Sequence, residues 1–126
     1  MGMPDQQHCR RGLSQQTLHR IDDFIEQALA GKIALDDLAK LARLSRFHFV
    51  RTFRKTMGIS PMEYVLRARI RRSQPMLLSC RHTVADVAVS LGFCDQSHFT
   101  RSFRRVTGYP PRRFIAECRS AESANA

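Results

Sequence analysis

Arg51, Arg54 and Lys55 are helix neighbours by their spacing, and Arg101, Arg104 and Arg105 repeat the set fifty residues later. A guanidinium presents its N–H donors in a rigid fork, which can hold phosphate oxygens or the O6 and N7 edge of guanine bidentately, whereas lysine supplies a point charge. Around these cations lie side chains of a second kind: Phe47 and Val50 in the first set, and Gln96, Ser97 and Thr100 in the second. They add amide, hydroxyl and methyl groups, the contacts by which base edges are distinguished. No carboxylate pair, Ser/His/Asp order, phosphate-cradling glycine loop or metal-ligand spacing stands out, so neither catalysis nor a cofactor is expected. Cys9, Cys80, Cys94 and Cys118 are too scattered for a zinc knuckle or a redox pair and read as reduced, part-buried thiols. His48 and His98 share one register, and packing or phosphate contact is favoured over metal binding.

The charge balance points the same way. The chain has 21 Lys and Arg against 11 Asp and Glu, a formal net charge of +10, which favours a polyanionic partner. The excess is local: residues 14–42 hold three basic and five acidic side chains, whereas residues 43–72 hold nine basic and one acidic. Residues 100–119 repeat the bias with six arginines, Arg112 and Arg113 among them, against Glu117. No apolar run reaches the roughly 20 residues of a membrane span, and the polar start lacks a signal peptide's apolar stretch, so a cytoplasmic protein is expected.

Such side chains share a surface only if helices carry them, and an internal repeat defines those helices. Phe49, Arg51, Phe53, Arg54, Gly58 and Pro61 recur as Phe99, Arg101, Phe103, Arg104, Gly108 and Pro111. Tyr64 and Phe114 keep this offset of fifty, while Leu38-Ala39 matches Val87-Ala88 at forty-nine, so one residue has been gained or lost in a turn between them. Ser45 and Asp95 stand where an N-cap belongs, and Gly58 and Gly108 where a left-handed C-terminal residue belongs. Ser60-Pro61-x-Glu63 opens a long helix, and Thr83-x-x-Asp86 opens another. The pattern predicts an all-α fold of about seven helices at 15–30, 35–42, 46–57, 61–79, 84–91, 96–107 and 111–118. The organisation is a flexible tail over 1–13, a helix-turn-helix subdomain over 14–60, a linker helix over 61–79, a second subdomain over 80–118 and a flexible tail over 119–126. Leu18, Ile21, Ile25, Ala28 and Leu29 form the apolar stripe of a scaffold helix. Phe49, Phe53 and Met57, four residues apart, are expected to point inward, which turns Phe47, Val50, Arg51, Arg54 and Lys55 outward. By register Ser97, Thr100, Arg101, Arg104 and Arg105 face outward in the second unit.

Leu91-Gly92-Phe93-Cys94-Asp95-Gln96-Ser97-His98-Phe99-Thr100-Arg101-Ser102-Phe103-Arg104-Arg105, followed by Gly108-Tyr109-Pro110-Pro111, resembles the signature of the AraC/XylS transcriptional regulators. The first unit, Leu44-Ser45-Arg46-Phe47-His48-Phe49 with Arg51, Phe53, Gly58, Ser60, Pro61 and Tyr64, is similar to that family's first recognition element, and the resemblance spans residues 14–118. It implies sequence-specific binding of double-stranded DNA and transcriptional regulation, with one recognition helix in each of two adjacent major grooves and one monomer on an asymmetric site about two helical turns long. The positions it assigns to base contact are Arg46, Phe47, Val50 and Arg51 in the first unit and Gln96, Ser97, Thr100 and Arg101 in the second. Arg54, Lys55, Arg104 and Arg105, toward the helix ends, suit phosphates. Phe47 could instead pack against the preceding helix. A different class of function, a basic helical adaptor for RNA polymerase or another acidic protein surface, would show a weaker salt dependence. The Met1-Gly2-Met3 start and the polar tail favour a portion of a longer regulator. Two departures from the family pattern stand out. Arg43 occupies a turn position where the family has a small residue or glycine, and it is strained if that position needs positive φ. Pro75 falls inside the long helix, where it should kink or interrupt it and leave the two units freedom to adapt to a bent duplex.

Overall fold

The computed structural model describes residues 12–125, and in them the chain forms seven α-helices and no strand. They are α1 (Gln15–Ala28), α2 (Leu35–Leu41), α3 (Arg46–Met57), α4 (Pro61–Leu78), α5 (Val84–Ser90), α6 (Gln96–Thr107) and α7 (Pro111–Asn125). No described helix is long and apolar enough to cross a membrane. The chain divides into two compact units at Val65/Leu66, so α4 gives its first turn to unit 1 and its remainder to unit 2.

Capping chemistry sets most borders. The Ser14 hydroxyl accepts from the Thr17 N–H, Ser45 from His48, Ser60 from Glu63 and the Asp95 carboxylate from His98. Thr83 and Asp86 make a reciprocal capping box, which draws the Asp86 carboxyl below its ordinary range through hydrogen bonds from Thr83. Gly58 (φ 82°) and Gly108 (φ 91°) close α3 and α6 in the left-handed region, each N–H returning to the carbonyl of Arg54 or Arg104. An added Cβ would meet nothing within 4 Å at either glycine, so backbone strain alone selects glycine there.

In unit 1 the core is a run of rings. Phe49 and Phe53 are buried with centroids 5.6 Å apart, and Tyr64 stands edge-on to Phe53 at 5.4 Å while its hydroxyl donates to the Asp22 carboxylate of α1. Ile21, Ile25 and Leu29 bury the stripe of α1, with Leu18 and Ala28 half-buried beside them. Unit 2 repeats the run: Phe99 and Phe103 at 5.7 Å, Phe114 edge-on to Phe103 at 5.5 Å, and Phe93 against Phe99 at 5.1 Å. Burying one such side chain contributes about 1.5–3 kcal/mol. These rings fix the inward side of α3 and α6 and thereby aim the opposite side.

The structure departs from the expected elements at several points. Met57 is 38% exposed instead of pointing inward. A step of four residues overshoots the helical period of about 3.6, so a second step of four turns a side chain well off the face that Phe49 defines. The place is taken by Thr52, at three residues from Phe49, and its counterpart Ser102, both buried. Helix α4 is not interrupted at Pro75: it runs on to Leu78, with the proline in its last turn. Helix α7 continues to Asn125, past the expected stop at 118, through a segment that includes Ala121, Glu122 and Ala124 and has no glycine or proline to end it, and an i,i+4 pair of Arg113 with Glu117 at 3.1 Å supports it. Cys80 and Cys94 are exposed and Cys118 is half-buried. Cys9 and the tail through residue 11 lie outside the described residues.

Candidate nucleic-acid interface

The turn that delivers each outward helix has the same hydrogen bonds in both units. In unit 1 the Leu44 N–H donates to the Ala39 carbonyl at 3.0 Å and the Arg43 N–H to Lys40 at 3.0 Å; in unit 2 Phe93 donates to Ala88 at 3.0 Å and Gly92 to Val89 at 3.1 Å. This is the paired closure that puts the residue after the cap in the left-handed region. Gly92 takes φ 80° without cost, and Arg43 takes φ 57° with a Cβ in the way. The turn of unit 2 holds one residue more, Cys94, ahead of its cap.

On α3, Phe47 is 75% exposed and does not pack on the preceding helix. The Arg51 guanidinium lies over its ring, 6.0 Å from the centroid, so the pair forms a flat cationic-aromatic surface beside half-buried Val50. Arg46 is held differently: its Nε and Nη2 donate to the two carboxylate oxygens of Asp36 on α2, both at 2.8 Å. That bidentate bond holds the Asp36 carboxyl below its ordinary range, with the charges of Arg46 and Lys40 adding to the effect. Leu35, Ser45, Arg46, Phe47, Val50 and Arg51 together line an open concavity of about 560 Å3. Arg54 and Lys55 project from the last turn, exposed.

On α6 the same positions are polar. Gln96, Ser97, Thr100 and Arg101 line a concavity of about 460 Å3, with Arg104 and Arg105 exposed in the last turn. Register places Ala85 and Gln96 where unit 1 has Asp36 and Arg46, so that ion pair has no counterpart here. His98 is half-buried, its ring edge-on to Phe93 at 5.2 Å and its Nδ1 facing the Cys94 N–H at 3.5 Å, whereas His48 is exposed. Among the described residues no group of three His, Cys, Asp or Glu is placed to hold a metal ion. In each unit the structure brings the four expected base-contact positions onto one open surface. Asp36 was not among the sequence candidates, because a partner ten residues away across a turn leaves no periodic signal.

A family model described as a helix-turn-helix domain matches residues 38–117, more than half of the chain. The chain belongs to the AraC-type helix-turn-helix family. The family comprises DNA-binding domains of transcription regulators. The chain is 37% identical over 77 residues to the probable transcriptional regulator LumQ of Photobacterium leiognathi, covering 61% of this chain and 31% of that protein. It is 33% identical over 73 residues to the transcriptional activator AarP of Providencia stuartii, covering 58% and 54%. The chain thus spans about half or less of the length of these AraC-type relatives. Among solved structures, the DNA-binding domain of AdpA in complex with a target DNA superposes with TM-score 0.75 at 27% identity, covering 83% of this chain and 95% of that one. An AraC-type regulator from Chromobacterium violaceum has the same fold, with TM-score 0.75 at 24% identity over 82% and 92%.

Proposed function

We propose that this chain binds double-stranded DNA by sequence and so regulates transcription, with α3 and α6 as recognition helices in two adjacent major grooves. The observation that carries the reading is the pair of matching outward faces, each set by a buried phenylalanine ladder and each combining a forked cation with groups that discriminate bases. Arg51 and Arg101 are suited to guanine, Gln96 to adenine, and Phe47, Val50 and the Thr100 methyl to thymine, with Ser97 as a polar reader and Arg46 at the groove edge. Arg54, Lys55, Arg104 and Arg105 hold phosphates and set register without reading sequence. The target DNA in the AdpA structure supports the same use of this fold. One copy of the chain fills an asymmetric site about two turns long and acts in the cytoplasm without chemistry of its own, its effect on transcription passing through RNA polymerase.

The test is selection of duplexes from a random pool about 30 base pairs long at near-physiological salt. Two enriched boxes about one helical turn apart are expected. Binding without enrichment would overturn the sequence-specific reading. Affinity that does not fall with salt would overturn DNA binding itself, since every neutralised phosphate contributes about 0.9 to the slope of log K against log salt.

A further inference from the structure

Gln96 and Thr100, one turn apart on α6, line two concavities. Ser97 and Arg101 complete the one already described. Val84, Pro110, Pro111 and Arg112 complete the other, of about 290 Å3, and none of these four is among the base-contact positions. Its lining is mostly apolar, with Val84 and the two prolines, and Arg112 among its lining residues is exposed with no ion pair among the described residues. An α-helix with its side chains is about 10–12 Å across and the major groove about 12 Å wide. A recognition helix therefore fills the groove from wall to wall, and whatever stands beside the helix meets the sugar–phosphate strand rather than base edges. A mostly apolar lining that includes a guanidinium complements that strand, whose sugars are apolar on one face and whose phosphates are anionic.

We infer that this concavity is a backbone site: a deoxyribose at the edge of the second box lies against Val84, Pro110 and Pro111, and the adjoining phosphate is held by Arg112. The inference rests on the DNA-binding reading above and deepens it. Unit 1 has no equivalent, since register places Met62, 43% exposed, where unit 2 has Arg112, and Ser60 where it has Pro110. The second box is thus gripped by one phosphate contact that the first lacks.

The experiment measures Kd across a salt series for the wild-type chain, Arg112→Gln and Arg112→Lys, on a selected duplex and on a scrambled one, with circular dichroism to confirm helix content. For Arg112→Gln the slope of log K against log salt is expected to become shallower by about 0.9, with the same fold-loss on both duplexes and recovery in Arg112→Lys. Duplexes carrying one uncharged methylphosphonate at successive positions provide a second readout on the wild-type chain and Arg112→Gln. One position at the edge of the second box should weaken the wild type and leave Arg112→Gln unaffected. An unchanged slope, a loss confined to particular base pairs, or the absence of any such phosphate would overturn the site. Failure of the parent reading is separate, because there the wild-type chain itself binds no duplex; Arg112-dependent binding of an acidic peptide in place of DNA would also overturn the site.

Discussion

Units 1 and 2 share a core and differ on the surface. Phe49, Phe53 and Tyr64 repeat as Phe99, Phe103 and Phe114 with nearly the same ring separations, and the caps of α3 and α6 repeat with them. The outward faces agree only in their arginines: unit 1 sets Phe47, Val50 and the Arg46–Asp36 pair where unit 2 sets Ser97, Thr100 and Gln96 beside Ala85. Packing tolerates few alternatives at a buried ring, so the ladder is retained wherever the helix must be aimed. A surface that reads one box has no reason to resemble the surface that reads another.

The largest effects should fall on what the units share. Phe53→Ala and Phe103→Ala each remove a ring that is 1% or less exposed and should each cost about 3–5 kcal/mol in denaturant unfolding. A marked inequality between them would break the equivalence of the two cores. Next come the forked cations. Arg51→Ala and Arg101→Ala should each weaken binding of a selected duplex by about 1–3 kcal/mol and relax base preference in one box only. A loss equal on all duplexes would reassign that arginine to phosphate and make the two faces less alike than their register suggests.

How much of this could be read from the sequence follows from what leaves a periodic trace. The phenylalanines, the glycine stops and the Ser and Asp caps recur at fixed offsets, so the seven helices and the outward sides of α3 and α6 were legible, with ends misplaced by a residue or two at most except in α7. Helix α7 runs on to Asn125 because polarity alone does not end a helix that meets no glycine or proline. Met57 was misassigned because spacing by fours drifts from the helical period. The Asp36–Arg46 pair and the concavity of Val84 and Arg112 join residues that only the folded turn brings together, and no spacing rule encodes them.

The two turns supply a smaller and sharper test. Arg43 adopts in unit 1 the left-handed backbone that Gly92 adopts in unit 2, and a Cβ there costs about 1–2 kcal/mol, offset by glycine's greater freedom in the unfolded chain. Arg43→Gly should therefore raise stability, by about 0.5–1 kcal/mol, while Gly92→Ala should lower it by about 1 kcal/mol. Thermal melts of the two variants check the signs. If both substitutions destabilise, the Arg43 side chain makes a contact in unit 1 that outweighs its backbone strain.

The smallest effect separates the two faces most cleanly. Asp36 and Arg46 form a well-aligned pair but remain mostly exposed, their side chains retaining 54% and 63% of their surface, so solvent and salt screen the attraction. The Asp36 carboxyl is held below its ordinary range by the Arg46 hydrogen bonds, and a group whose folded value is depressed stabilises above its unfolded pKa, about 3.9. That contribution is present at neutral pH and fades as pH falls through the depressed value. A carboxyl titration followed by NMR should show Asp36 titrating low in the wild type and shifting upward in Arg46→Gln, with little change in melting temperature near neutrality. Unit 2 has no counterpart, because Ala85 offers Gln96 no carboxylate. The consequence for binding turns on competition, since a phosphate offers Arg46 the same two oxygens as Asp36. If Asp36→Asn tightens binding on all duplexes and Arg46→Gln then undoes the gain, the carboxylate withholds Arg46 from DNA, and unit 1 reads its box with Phe47, Val50 and Arg51 alone. Unchanged affinity in Asp36→Asn, with a loss in Arg46→Gln, would instead mean that Arg46 already leaves Asp36 for the duplex, and the face of unit 1 would carry one active cation more than that of unit 2.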